Sequence, residues 1–245
     1  MPADQPTIVA TSGGLRRGAR GEPEFGPLIH HSLERSGVSG RRPTLCHVGT
    51  AMGDQLWWNA MLNEAGRTAG VAVHHLNLFV MPNVDDLQGF LLEHDTVWVG
   101  GGSVANLLAV WRVHGLDRVF REVWEAGVVL GGVSAGSICW HVGGTTDSFG
   151  PELRPVTDGL GLVPYSNGVH YDSEPRRRPV LQRLVADGTL PDGYATDDGV
   201  GLVYQGTELV EAVSEVTGRA AYRVRRRGDE AVEERIEPRV LPGAL

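Results

Sequence analysis

Residues 128–137 read Val-Val-Leu-Gly-Gly-Val-Ser-Ala-Gly-Ser. Within them, Gly132-Val133-Ser134-Ala135-Gly136 fits G-x-S-x-G, a pattern that presents a serine on a sharp turn between a strand and a helix. The valine-rich run before Ser134 predicts a buried strand, and the apolar Ile138-Cys139-Trp140 after it predicts a helix. The glycines suit such a turn, because the chain passes through conformations that a Cβ obstructs. Ser134 is therefore the candidate nucleophile for acyl transfer. Glycine is abundant, at 34 of 245 residues, so the pattern alone is a weak signal and a plain turn serine is the alternative. The strand before it, the apolar segment after it and the absence of an intervening proline favour the nucleophile.

A serine hydroxyl needs a base, and histidine is the usual one near neutral pH. The chain has nine histidines. His141 lies seven residues beyond Ser134, about 10 Å along a predicted helix and out of reach. His30, His31, His74 and His75 fall on predicted helix or late strand positions, where solvated or core histidines are the ordinary case. His47 and His114 have no evident link to the turn, and His94 precedes a strand at its amino end. His170 remains, in Asn167-Gly168-Val169-His170-Tyr171-Asp172 just after a predicted strand, where catalytic side chains gather. A base of this kind needs an acid to orient it. Asp197 and Asp198 close a short predicted strand before Gly199, and Asp147 follows Gly144-Thr145-Thr146. Each of these acids also fits an Asx turn.

A second glycine-rich turn, Gly100-Gly101-Gly102-Ser103, separates the strand Thr96–Val99 from a helix over Val104–Val113. Exposed backbone N–H groups at such a place suit an anion or an oxyanion. Open parallel sheets bind ligands at the carboxyl ends of their strands, so this turn and Ser134 meet if their strands are neighbours.

The elements around these residues alternate strand and helix. Strands are predicted over Thr7–Thr11, Thr44–Val48 and Val71–Leu78, with helices over Pro27–Arg35, Gln55–Thr68, Val84–Glu93 and Leu116–Ala126. Arg16 to Glu24 reads as a polar loop, and Gly143 to Gly161 as loop with a short hairpin. Leu162 to Ser166 reads as a strand and Arg177 to Ala186 as a helix. The segments Tyr194–Thr196, Val200–Tyr204, Glu208–Val213, Ala220–Arg225 and Ala231–Ile236 follow as strands, with a turn at Gly228-Asp229. This is an α/β chain: a mostly parallel central sheet with helices on both faces and antiparallel C-terminal strands. No linker or repeat interrupts it, so residues 1–245 are expected to form a single domain.

Composition narrows the function. The net charge is −8 and the hydrophobic fraction 41%, as in an ordinary globule, which argues against broad nucleic-acid binding. Arginine runs at Arg176-Arg177-Arg178 and Arg225-Arg226-Arg227 are expected to be solvated edges, with an anion site as the rarer alternative. All the positive side chains are arginine, and the absence of lysine excludes Schiff-base and Ser-Lys chemistry. Cys46 and Cys139 make neither a disulfide framework nor a cysteine-rich zinc site. No signal core or apolar run of membrane length occurs, so a cytoplasmic location with no membrane partner is expected. Nothing in the chain calls for a metal or cofactor.

Taken together, Val99-Gly100-Gly101-Gly102-Ser103 with Asn106-Leu107-Leu108, then Gly132-Val133-Ser134-Ala135-Gly136, then Gly168-Val169-His170-Tyr171 resemble the aspartyl dipeptidase (peptidase E) and cyanophycinase family. The similarity runs from about Thr7 to Val213. It implies a fold like that of class I glutamine amidotransferases, with serine in place of cysteine. It implies Ser134 as nucleophile, His170 as base, Asp198 as the third member ahead of Asp147, and an oxyanion hole from the N–H groups of Gly102 and Ala135. It also implies a short peptide substrate and admits a homodimer. Arg176, Arg177, Asp172 and Glu174 are the candidate substrate-binding residues. The arginines would serve an N-terminal Asp, and the two acids a cyanophycin-like guanidinium. The expected function is a serine exopeptidase for dipeptides or short peptides. Its rivals are another amide or ester hydrolase on the same triad, and an inactive amidotransferase-like binding module.

Overall fold

The computed structural model describes residues 3–245. Eight strands form the main sheet, in the order Arg239–Val240, Glu208–Ser214, Val200–Gln205, Thr7–Thr11, Val129–Val133, Thr96–Val99, Thr44–Val48 and Ala72–Leu76. The last five of these run parallel, while Val200–Gln205 pairs antiparallel with both Thr7–Thr11 and Glu208–Ser214. Side chains alternate across this sheet. Val97 and Val99 join the core against the helices Val104–Val113 and Leu116–Glu125. Trp98 faces the opposite side, against Pro27–Arg35 and Leu56–Ala69. Helix Leu116–Glu125 buries Leu116, Phe120, Val123 and Trp124, one apolar stripe at helical spacing.

A second sheet of six strands has the order Glu230–Ile236, Ala221–Arg227, Gly193–Thr196, Ser166–Gly168, Gly143–Thr146 and Arg154–Val156. Its middle three strands are parallel. Helix Arg177–Ala186 covers it through Leu181, Leu184 and Val185, which pack on Tyr171, Ala195 and Val224. The architecture is thus the expected mixed α/β one, with the C-terminal antiparallel strands divided between two sheets.

Several elements depart from their sequence-based bounds. The segment expected as a polar loop after Arg16 holds a small antiparallel pair, Leu15–Arg17 with Pro23–Phe25. The helix expected from Val84 spans Leu87–Leu92, because the Asp86 carboxylate accepts the Gly89 N–H and caps the first turn there. The helix after Ser134 is only Ala135–Ile138. The carbonyls of Cys139, Trp140 and His141 accept N–H groups from Leu160, Leu162 and Gly161, so a returning segment replaces the next helical turn. For the same reason 162–165 is irregular, and the strand expected there begins at Ser166. Among the described residues, no helix is long and apolar enough to cross a membrane.

Candidate active site

Strands Thr96–Val99 and Val129–Val133 are parallel neighbours, which brings their two glycine-rich ends together. Ser134 follows the second strand with φ 57° and ψ −112°. A residue with a side chain in this region carries strain of about 1–3 kcal/mol, so its surroundings must hold it. Its N–H donates to the Thr11 carbonyl at 3.0 Å, and its carbonyl accepts from the N–H groups of Ser137 and Ile138 at 2.9 Å each. Gly136 lets the turn close, since a Cβ there would run into the Val99 carbonyl oxygen. Gly102 has φ 132°, and a Cβ on it would stand 2.5 Å from the Ala51 carbonyl oxygen. Ser103 caps the following helix by accepting the Asn106 N–H. The N–H groups of Gly101, Gly102 and Ala135 find no acceptor among the described residues.

The second sheet supplies the histidine and the acid. His170 lies two residues beyond Ser166–Gly168, between the buried Val169 and Tyr171, with its backbone at φ 53°. Its N–H donates to Ser12 Oγ at 3.1 Å, and Ser12 Oγ lies 2.7 Å from Thr196 Oγ1. His170 Nδ1 lies 2.6 Å from Asp198 Oδ1. That hydrogen bond holds the Asp198 carboxyl below the usual carboxylate range. The ionised carboxylate can only accept, so Nδ1 carries the proton and Nε2 is left as the basic nitrogen. Asp198 is itself fixed: its N–H donates to Asp172 Oδ1 at 2.8 Å, and Asp172 is ion-paired with Arg219. The preceding Asp197 is buried and turned elsewhere, accepting from the Ala220 N–H at 3.0 Å and the Tyr222 hydroxyl at 3.4 Å.

Ser134, His170 and Gly102 line one cleft of about 340 Å³. Its remaining wall is polar, with Ser103, Ser148, Asp147, Glu174 and Arg177. Ser134 Oγ and His170 Nε2 make no hydrogen bond to each other or to other described residues. Such bonds are commonly loose in an unliganded site. Asp147 makes no hydrogen bond to His170, and it lies 3.9 Å from Arg177 Nη2. Arg177 is not on a solvated edge: it is 3% exposed, with Nε donating to Glu174 at 2.7 Å and Nη1 to the Thr145 carbonyl at 2.7 Å. Arg178 stacks over Tyr171 and Tyr222, with its guanidinium carbon 4.7 and 4.4 Å from the ring centroids. Of the other substrate-binding candidates, Arg176 is exposed outside the cleft lining and Asp172 is committed to Arg219 and the Asp198 amide. The run Arg225-Arg226-Arg227 is exposed, as expected. His141 is fully buried between the Ser137 carbonyl and the Tyr204 hydroxyl, and burial lowers its pKa to about 4.

Sequence reasoning missed Ser12, Thr196 and Arg219, which hold the histidine and the acid through contacts remote in the chain. The one local hint was Ser12-Gly13-Gly14 at the end of a strand that borders the strand leading to Ser134.

A parallel sheet with a strained serine at a strand end, beside a carboxylate-bound histidine, defines the class of serine hydrolases. Residues 8–212 match peptidase family S51, and the chain belongs to that family. It is 39% identical over 217 residues to the uncharacterized peptidase YgaJ of Bacillus subtilis (strain 168), covering 89% of this chain and 91% of that one. It is 28% identical over 149 residues to peptidase E of Shewanella denitrificans, covering 57% and 63%. Among solved structures, a peptidase from an acI-B1 Actinobacterium is similar with a TM-score of 0.69 at 16% identity, covering 97% and 95%. A putative peptidase E from Listeria monocytogenes EGD-e gives a TM-score of 0.56 at 17% identity, covering 94% and 98%. The chain is therefore a serine-type peptidase with the fold of the peptidase E group.

Proposed function

We propose that this peptidase cleaves dipeptides or very short peptides from their free amino end, through an acyl-enzyme formed on Ser134. The observation that carries the reading is the 2.6 Å contact of Asp198 with His170, which lines the same cleft as Ser134 and Gly102. Ser134 Oγ attacks the scissile carbonyl as His170 Nε2 takes its proton, and the N–H groups of Gly102 and Ala135 receive the oxyanion. His170 returns the proton to the leaving amine, and water then hydrolyses the ester by the same route. Asp198 holds the imidazole tautomer and stabilises the imidazolium. Asp147 acts on the substrate rather than on His170.

The charge of the cleft supports a short substrate. Arg177 is largely consumed by Glu174 and the Thr145 carbonyl, while Asp147 is 62% exposed and Glu174 45%. Outward-facing carboxylates suit the α-ammonium of a short peptide. An N-terminal Asp side chain has only Arg177 Nη2 to meet, so a strict Asp requirement is not expected. The same exposed acids favour a second reading, cleavage of β-aspartyl-arginine by Ser134 with the substrate guanidinium seated on Asp147. The chain acts as a single peptidase domain, and its free, buried cysteines accord with a reducing, cytoplasmic compartment.

A library of dipeptides, Asp-X and β-aspartyl-arginine included, tests the proposal with Ser134→Ala as control. Turnover of α-dipeptides by the native chain, absent in the variant, is the expected result. Turnover retained by Ser134→Ala contradicts the acyl-enzyme route, and cleavage confined to β-aspartyl-arginine selects the second reading.

A further inference from the structure

The cleft lining holds no apolar side chain, yet its glycine turn borders two segments rich in exposed apolar side chains. Met52, Leu56, Trp57, Phe79, Val80 and Met81 range from 39% exposed for Met52 to 96% for Val80. No charged residue occurs in 55–58 or 78–83. Their two segments are tied together by the buried Asp54, whose carboxylate accepts the N–H groups of both Leu78 and Phe79. Leu78 is buried, so the loop carrying Phe79, Val80 and Met81 is anchored at its start. The cluster is a fixed shelf.

Two contacts join this shelf to the catalytic turn. Met52 Cγ would stand 3.0 Å from a Cβ placed on Gly102, so Met52 borders the candidate oxyanion donor. The Trp58 indole nitrogen would stand 4.0 Å from a Cβ on Gly100, and Trp57 packs edge-on against Trp58 with centroids 5.1 Å apart. Gly101 in turn packs on Ser134, whose Cβ would lie 3.4 Å from a Cβ on that glycine. Exposed apolar side chains gathered beside a cleft mark a binding site. Its continuity with the nucleophile identifies what binds there.

We infer that the shelf takes a large apolar side chain on the leaving residue of the peptide, making the enzyme selective for short peptides whose second residue is Leu, Phe or similar. The inference rests on the dipeptidase reading. The first residue, held by its ammonium, lies in a cleft lined by polar groups. The second residue emerges past Gly102 onto Met52 and Trp57. Apolar area removed from water on the shelf then favours large side chains over small ones.

Two dipeptide series, Ala-X and Asp-X with X as Ala, Leu or Phe, test this on the native chain. Cover by a partially exposed shelf is expected to raise kcat/KM by roughly tenfold for Phe over Ala at the second position, mainly through KM. Trp57→Ser and, separately, Met81→Ser should bring that ratio to within about twofold, chiefly by raising KM for X = Phe. Val113→Ser, which removes an exposed apolar side chain at the far end of helix Val104–Val113, should leave the ratio intact. Met81 lies on a loop, which keeps the test valid if Trp57→Ser misfolds. Equal kcat/KM for Ala and Phe, or a preference that survives both shelf variants, overturns the shelf alone. A native dimer in sedimentation that Trp57→Ser splits into monomers also overturns it, by assigning the surface to a second copy. No turnover of any dipeptide, with Ser134 unlabelled by a fluorophosphonate, overturns the dipeptidase reading and the shelf with it.

Discussion

The two sides of the cleft are built in different ways. The Ser134 side belongs to the main sheet and is fixed by backbone packing: Ser134 at φ 57°, Gly136 against the Val99 carbonyl, and the Thr11 carbonyl on the Ser134 N–H. The histidine side belongs to the second sheet and is fixed by side-chain hydrogen bonds, from Ser12 to His170, His170 to Asp198, and Asp172 to the Asp198 amide. Close packing of backbone leaves no room for a new atom, whereas a chain of side-chain bonds can lose one link and keep its shape. The first side should therefore fail as structure and the second as chemistry.

Gly136→Ala is the most severe break. Its Cβ meets a backbone oxygen that cannot rotate away, at a cost of about 3 kcal/mol or more. A lower melting temperature and loss of activity together are expected; an unchanged melting temperature would show that the turn is not tightly packed. His170→Ala removes the proposed proton acceptor without crowding anything. It should reduce kcat/KM by roughly a million-fold with the fold retained, as followed by circular dichroism and steady-state kinetics.

Asp198→Asn keeps the shape of the acid but allows the wrong imidazole tautomer, and a loss of roughly 10^4-fold in kcat is expected. The sign of the pH effect follows from the carboxyl. Its pKa is lowered in the folded protein, so it stays ionised as the pH falls through the ordinary carboxylate range. Asp198 therefore adds no step to the acid limb of kcat in the range of an ordinary carboxyl. A step in that range that Asp198→Asn removes would contradict the arrangement. Ser12→Ala is the mildest change: the His170 N–H loses its acceptor, and a roughly tenfold fall in kcat at nearly constant KM is expected. A change confined to the melting temperature would make Ser12 structural only.

The same division explains what could be read from the chain. The main sheet was legible because its strands are valine-rich runs ending in glycine, such as Thr96–Val99 before Gly100 and Val129–Val133 before Ser134. In the second sheet Gly193–Thr196, Ala221–Arg227 and Glu230–Ile236 were legible as strands, while the other three were harder to read. Gly143–Thr146 and Ser166–Gly168 are three or four residues long and rich in glycine and polar side chains, Arg154–Val156 is Arg-Pro-Val, and none of the three carries an apolar alternation. Ser134, His170 and Asp198 each stand at a strand end next to a telling neighbour. The residues that hold them do not, because Ser12 meets His170 across 158 positions and Thr196 across 184. Arg177 showed the same limit: its place in a basic run suggested a solvated edge, whereas it is buried, with a tertiary bond to the Thr145 carbonyl beside its local pairing with Glu174.

The central claim is that Ser134 is an activated nucleophile. Labelling the native chain with a fluorophosphonate and locating the adduct by peptide mass spectrometry tests it without any assumption about substrate. A single adduct on Ser134, strongly slowed in His170→Ala, is the result expected from this structure. An unlabelled protein, or labelling of Ser134 that proceeds as fast without His170, would contradict it.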